Sequence, residues 1–206
     1  MIVKKYYSPP LQENTFLIYS EKTLQGYIID PGSKPEEILN FINQNKIKIK
    51  AILNTHGHFD HTIFNQYFVN ELDIPVHIDE KDIFYTKRIK DFKHLYNNKA
   101  IPFENYELFK GNLILENQTI EIIKTPGHTI GGISYYIPSE NILFTGDTLF
   151  KRAFGRYDLP KGNFEDLKNS IRKLFALPDN TLVYAGHGEE TTIGEEKRQN
   201  YILKFI

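Results

Sequence analysis

The chain has 206 residues, of which 40% are hydrophobic, and a formal net charge of −1 at pH 7. That length allows a sizeable core, and without a basic block we expect no nucleic-acid partner. Because cysteine is absent, disulfides and thiolate zinc sites are excluded, and any metal ligand has to be His, Asp, Glu or water. We find no signal peptide or membrane-length apolar run, so we expect a cytoplasmic protein with no membrane partner and one domain over residues 1–206.

The first half of the chain predicts two strands, a helix and a third strand. Residues 14–19 and 25–30 are rich in β-branched and aromatic side chains, as strands are. A helix is predicted to begin at Ser33, because Glu36 would complete a capping box ahead of an apolar stripe. Residues 51–53 form a short, wholly apolar strand, and ligands commonly lie beyond the carboxyl ends of such strands.

The second half continues the mixture of helices and strands. A helix and a surface loop are predicted within residues 80–108. Asn163 is expected to cap a helix over residues 164–175, whose apolar residues share one face. Further strands are predicted over residues 118–125, 133–137, 141–145 and 181–184. This order indicates a compact domain of mixed α and β structure.

A cluster of potential metal ligands directly follows the third strand. His56, His58, Asp60 and His61 place three imidazoles and a carboxylate in six positions, and these are ligands that zinc prefers. His56 and His58, two residues apart, can point to the same side of an extended segment, while Asp60 and His61 follow a bend. Since one tetrahedral ion cannot use all four and still accept further ligands, the layout favours two ions. The alternative is a histidine-rich surface loop.

Three later fragments each carry one more potential ligand beside a glycine. His128, Asp147 and His187 each follow a predicted strand. Alone, each fragment is more typical of an ordinary turn. Together with the cluster they supply two complete ligand sets.

The order of these residues resembles the metallo-β-lactamase superfamily. Within it, residues 125–129 and 146–150 are similar to the glyoxalase II, or hydroxyacylglutathione hydrolase, group. Residues 155–160 and 191–194 resemble its short branch. The resemblance implies an α/β (α+β) fold, namely a four-layer αββα sandwich with the metals at the edge of the sheets.

The resemblance also implies a role for each candidate residue. It assigns His56, His58 and His128 to a first metal, Asp60, His61 and His187 to a second, and Asp147 to a bridge between them. The ions are expected to be zinc, with iron or manganese as alternatives. The family pattern also suggests Arg156 and Tyr157 as substrate contacts.

Two features depart from the family pattern. Thr62, Ile63 and Phe64 stand where a glycine is usual. The chain ends nineteen residues after His187, without the C-terminal helical extension that helps classical members hold glutathione. The thiol carrier therefore stays open.

The expected function is that of a binuclear metal-dependent hydrolase of a small thioester such as S-lactoylglutathione. Two ions would activate a shared water to a hydroxide that attacks the thioester carbonyl, with Asp60 orienting it. One alternative is an iron persulfide dioxygenase, whose single ion would bind His56, His128 and Asp147. A lactonase is another. A purely structural zinc site fits poorly, because such sites are usually thiolate-rich. The sequence predicts no oligomeric state.

Overall fold

The computed structural model describes residues 1–8, 11–88, 91, 94, 108 and 111–206. Its first sheet contains the first five strands, which are β1 (Ile2–Ser8), β2 (Glu13–Tyr19), β3 (Gln25–Ile29), β4 (Lys48–Leu53) and β5 (Val76–His77). They lie in the order β1-β2-β3-β4-β5. The pairs β1/β2 and β2/β3 are antiparallel, whereas β3/β4 and β4/β5 are parallel.

A second five-stranded sheet is built from the later part of the chain. The strands described after β5 form this sheet and two small hairpins. They are β6 (Ile114–Leu115), β7 (Gln118–Thr119), β8 (Glu121–Lys124), β9 (Ile133–Ile137), β10 (Ile142–Gly146), β11 (Leu149–Phe150), β12 (Ala153–Phe154), β13 (Leu182–Ala185) and β14 (Thr191–Thr192). The sheet has the order β14-β13-β10-β9-β8, while β6 with β7 and β11 with β12 form small hairpins. Only β10 and β13 run parallel among the paired strands of this sheet.

Helices flank both sheets. They are α1 (Pro35–Gln44), α2 (Phe59–Thr62), α3 (Asn65–Leu72), α4 (Ile83–Thr86), α5 (Phe164–Phe175) and α6 (Ile193–Gln199). Short 3-10 turns occupy Glu80–Asp82, Pro138–Glu140 and Tyr201–Lys204. Within the described ranges, no helix has the length and apolar character needed to cross a bilayer.

The alternation of side chains along the strands produces four layers. In β2, Leu17 faces a core shared with Ile38 and Phe68 of the first helices. Its neighbours Phe16 and Ile18 face a second core between the sheets, with residues such as Tyr135 and Phe144. A third core packs the outer side of the second sheet against α5 and α6. The chain therefore folds as the expected αββα sandwich.

Most predicted elements are confirmed, among them the helix Phe164–Phe175. The predicted strand over residues 118–125 is instead two strands, β7 and β8, because Ile120 between them bonds through its backbone N–H to Leu113 O. The prediction for residues 80–108 lies largely outside the described residues. Its described part holds the Glu80–Asp82 turn and α4.

The predicted capping box at Ser33 is wrong. The first helix begins at Pro35, and its N-cap Lys34 is left-handed, with φ of 45° and no side-chain cap hydrogen bond. The Ser33 hydroxyl donates instead to the backbone and side-chain oxygens of Glu13, at 3.0 and 3.2 Å. The Ser33 hydroxyl is therefore engaged in a tertiary contact with Glu13 and does not cap the helix.

Candidate metal centre

The seven candidate ligands converge at one edge of the two sheets. Four come from the segment after β4, where His56 and His58 precede α2 and Asp60 and His61 lie on it. His128 lies between β8 and β9, Asp147 directly after β10 and His187 after β13. Candidate ligands thus lie beyond strand ends of both sheets.

The first set consists of His56, His58 and His128. One ring nitrogen from each lies within 4.8 Å of the others, and His58 Nδ1 is 2.9 Å from His128 Nε2. His128 Nδ1 is 2.7 Å from the carbonyl oxygen of Arg156. That contact puts the His128 proton on Nδ1 and leaves Nε2 with a lone pair facing the other rings.

The second set consists of Asp60, His61 and His187. Asp60 Oδ2 lies 3.8 Å from His61 Nε2 and 3.5 Å from His187 Nε2. His61 is fully buried, whereas 30% of the His187 side chain is exposed. His187 is therefore the most exposed side chain of this set.

Asp147 contacts both sets. Its Oδ1 is 3.4 Å from His61 Nε2, and its Oδ2 is 3.5 Å from His128 Nε2 and 3.8 Å from His187 Nε2. The Asp147 carboxylate therefore lies between the two sets, and its Oδ2 lies near one imidazole of each.

The cluster has the properties of a cation site. His56 Nε2, His61 Nε2 and Asp147 Oδ1 are buried without a hydrogen-bond partner among the described residues. Burying a polar atom without a partner destabilises the folded state, so these three atoms indicate a bound group such as a cation. Two ligand atoms on one tetrahedral zinc ion are separated by about 3.4 Å, close to the 3.4–3.8 Å between the Asp147 oxygens and the ring nitrogens of His61, His128 and His187. The donor chemistry and spacing thus fit divalent metal ions.

Charge inside the cluster shifts the pKa values in opposite directions. Burial alone would raise the pKa of Asp147, but the His61 imidazole outweighs it and holds that pKa well below its usual value. Burial alone would lower the pKa of His61, but Asp147 and Asp60 raise it well above its usual value. For His56, burial dominates and lowers the pKa far enough to keep the ring neutral, as a metal ligand must be.

Asp30 supports the cluster from behind, and sequence reasoning treated it only as the end of a strand. Its carboxylate accepts from Thr55 N at 2.7 Å and Thr55 Oγ1 at 2.6 Å, and lies 3.1 Å from His61 Nδ1. A carboxylate on the far nitrogen of a metal-binding histidine orients its ring. The only sequence signal for Asp30 was its position before the Pro31-Gly32 turn.

Gly186 is required by the close packing of the centre. A Cβ there would overlap with Asp147 Oδ1 and with Cε1 of His61. The lack of a side chain at Gly186 therefore lets the loop after β13 pack closely against Asp147 and His61.

A cavity of about 350 Å³ opens onto the centre. Its floor includes side chains of both sets, and the rest of its lining is Leu11, Phe59, Tyr85, Arg88, Arg156, Leu159 and Pro160. Arg156 thus lies where the sequence suggested, although its guanidinium pairs with Asp158 at 2.9 Å. Tyr157 does not line the cavity, because its ring stacks on Phe164 at 4.4 Å.

Comparison with known proteins identifies the family. The metallo-beta-lactamase superfamily model matches residues 8–187, so the chain belongs to this superfamily. Divalent metal ions are implied by the fold and the His/Asp clusters together.

Individual relatives cover nearly the whole chain. The hydroxyacylglutathione hydrolase GloC of Haemophilus influenzae is 34% identical over 93% of this chain and 93% of its own. The BLEG-1 B3 metallo-beta-lactamase superposes with a TM-score of 0.86 at 31% identity, covering 98% of this chain and 99% of its own. TTHA1623, solved in a di-iron-bound form, gives 0.83 at 33% identity, covering 97% and 100%.

Proposed function

We propose that this protein is a binuclear metal-dependent hydrolase of a small thioester. The observation that carries the proposal is Asp147, whose carboxylate lies between two sets of imidazole and carboxylate groups and within 3.8 Å of imidazoles from both. The first set would be His56, His58 and His128, and the second Asp60, His61 and His187. The similarity to a hydroxyacylglutathione hydrolase supports S-lactoylglutathione as the substrate to test first.

The chain's own residues suit hydrolysis of an activated carbonyl. When bound, the ions would supply the Lewis acidity that polarises a carbonyl and activates water. Burial alone would raise the pKa of Asp60, but the charge of His61 and the hydrogen bond and charge of His187 together lower that pKa, so the carboxylate is ionised at neutral pH. Asp60 also lines the cavity. It can therefore orient the attacking water and accept a proton from it.

The cavity wall fits a thioester better than an amide. Leu11, Phe59 and Leu159 give one part of the lining an apolar character, which suits an acyl or thiol chain. A leaving thiol has a pKa near 8.5 and needs no strong acid to protonate it, unlike an amine. Thioester cleavage therefore requires no dedicated general acid in the cavity wall.

The dioxygenase alternative uses fewer of these residues. A single iron on His56, His128 and Asp147 would leave Asp60, His61 and His187 without a role, although they converge within 4.8 Å of one another. We therefore propose two divalent ions, with zinc tested first. The di-iron form of TTHA1623 makes iron the alternative metal.

The experiment combines metal analysis with turnover. Protein purified without added metal is analysed for zinc, iron and manganese, then assayed with S-lactoylglutathione, a lactone, a β-lactam and, for oxygen uptake, glutathione persulfide. We expect two ions per chain and thioester hydrolysis. One ion with oxygen uptake and no hydrolysis would contradict the proposal.

Two variants compare the loss of the Asp60 carboxylate with the loss of the same charge at a site outside the cavity lining. Asp60→Asn is expected to lower kcat about 10²–10⁴-fold, the range for a lost acid–base group. Asp73→Asn removes the same charge from an exposed, left-handed helix end, where asparagine is well tolerated. It should leave kcat unchanged.

A further inference from the structure

Asp82 is a buried carboxylate beside the first set that contacts none of its rings. It ends the 3-10 turn Glu80–Asp82 and has no exposed surface. Its Oδ2 accepts from Gly57 N at 2.9 Å and from Thr129 Oγ1 at 2.6 Å, and its Oδ1 accepts from Gly131 N at 2.7 Å. Both oxygens are thus committed to donors within the protein.

These three donors belong to the two loops that carry the first set. Gly57 lies between His56 and His58, and Thr129 directly follows His128. The loops are about seventy residues apart in sequence, as the His58–His128 separation shows. Asp82 is therefore a common anchor for both.

The backbone approach at this anchor leaves no room for adjustment. A Cβ on Gly57 would overlap with the carbonyl oxygen of Asp82, and one on Gly131 would overlap with its Oδ1. Hydrogen bonds to an ionised acceptor are about twice as strong as neutral ones. Removing such an acceptor would leave two backbone N–H groups and a hydroxyl without their partner.

His187 of the second set is held by a different residue. The side-chain amide of Asn14 donates to the carbonyl oxygens of Ala185 and Gly188, both at 3.0 Å, and these flank His187. Asn14 N also donates to Gly186 O at 2.8 Å. The His187 loop is thus fixed without help from Asp82.

We propose that Asp82 is a positioning residue for the first metal alone, holding the His56–His58 and His128 loops at the separation that one divalent ion needs. This inference rests on the proposed assignment of those three histidines to one ion. Outer contacts of this kind change metal affinity about 10–100-fold when removed. Asn14 holds the His187 loop, and His61 is held by its contact with Asp30 and by the Asn54 side chain, which donates to its carbonyl oxygen. The loss should therefore be confined to one of the two sites.

The experiment measures zinc affinity in two single-site backgrounds. Chelator-stripped His187→Ala retains the first set, and chelator-stripped His58→Ala retains the second. Each is titrated calorimetrically with Zn²⁺, with and without Asp82→Asn. We expect Asp82→Asn to weaken binding about 10–100-fold in the His187→Ala background and to leave it unchanged in the His58→Ala background. Equal weakening in both, or no weakening in the first, would overturn the proposal.

Two further variants guard against a general folding defect. Asp79→Asn, in the same segment, removes a carboxylate that accepts from Lys81 N and pairs with Lys124; it should leave both affinities unchanged. Thr129→Val deletes a single hydrogen bond to Asp82 and should weaken only the first site, by less than Asp82→Asn. If Asp82→Asn does not fold, Thr129→Val decides, and unchanged affinity in it overturns the proposal.

Metal content separates this inference from the proposed function. If unsubstituted protein binds no divalent ion, the proposed function and this inference both fail. If it binds two ions and Asp82→Asn changes neither affinity, only the role of Asp82 is lost.

Discussion

The buried carboxylates around the centre differ in what their oxygens already hold. Asp30 lies within 4.8 Å of His56 and His61 and could on distance alone be a ligand. Both of its oxygens, however, accept from Thr55. Asp147 instead has a buried oxygen without a hydrogen-bond partner among the described residues. Prior commitment to a donor therefore distinguishes the carboxylates that support the site from those available to an ion.

Asp79 lies outside the candidate metal centre and allows the contribution of one ion pair to stability to be tested. Burial alone would raise its pKa, but hydrogen bonds from Lys124 and Lys81 N outweigh this and lower it. A lowered folded-state pKa means that the stabilisation is present above the unfolded pKa of about 3.9 and is lost as pH falls through the folded value. We expect Asp79→Asn to reduce the free energy of unfolding at pH 7 by about 0.5–1 kcal/mol, a partly exposed pair being screened.

Urea unfolding from pH 7 down to pH 2 measures this difference. Asparagine still caps the turn, so the variant reports the ion pair and not the cap. The two unfolding free energies should converge at the acid end. A difference that persists at pH 2 would contradict the electrostatic origin.

The candidate ligands could be proposed from sequence, but the residues that hold them could not. The sequence indicates His56, His58 and His61 because residues that can bind a metal rarely occur so close together. Asp30 and Asp82 each act on partners 25 residues away. An isolated aspartate near a turn carries no local signal of such a contact. The assignment of the ligands to metals, and the substrate role of Arg156, remain predictions.

At the scale of elements, α5 holds the His128 turn in place. The backbone N–H of Asn163 donates to Gly127 O at 2.8 Å, and Ser170 Oγ donates to Pro126 O at 2.6 Å. Gly127 has a φ of 138°, and a Cβ there would overlap with Leu167. The start of this helix therefore determines where one ligand of the first set lies.

The Asn163 cap gives a prediction at this scale. Its side chain accepts from Asp166 N at 3.0 Å, and replacing such a cap by alanine costs about 1 kcal/mol. We expect Asn163→Ala to lower the free energy of unfolding by about that amount, measured by urea denaturation. Asn163→Ser should retain most of it, because serine caps comparably. If alanine and serine behaved alike, the cap would not be the source of the loss.

The two helix starts show when local patterns succeed. Asn163 caps α5 because its side-chain amide oxygen accepts from the backbone N–H of Asp166, three residues later. This contact involves only residues that are close in sequence. Ser33 fails because its hydroxyl is taken by Glu13, twenty residues away and next to His61. The local rule thus holds for α5, where the Asn163 side chain accepts from its own helix, and is overridden at Ser33, where a distant residue engages the hydroxyl.

At the scale of the molecule, the centre joins the two sheets. Asp60 and His61 follow a strand of the first sheet, whereas Asp147 and His187 follow strands of the second. The αββα layering was predictable because motifs that resemble the superfamily recur along the chain from His56 to His187. The sheet-to-sheet distance at the edge was not, since it depends on contacts such as Asn14 N with Gly186 O.

An ion shared between the sheets should stabilise the folded state as a whole. A ligand at one hundred times its Kd that binds only the folded state adds about 2.7 kcal/mol. For a chain of this size, 1 kcal/mol shifts Tm by about 2–4 °C. We therefore expect chelation to lower Tm by about 5–10 °C, with recovery on adding Zn²⁺, measured by calorimetry. Asp147→Asn removes the ligand that faces both sets, so its Tm should respond less to the chelator. Equal Tm values with and without chelator in the unsubstituted protein would mean that the ions do not tie the sheets together.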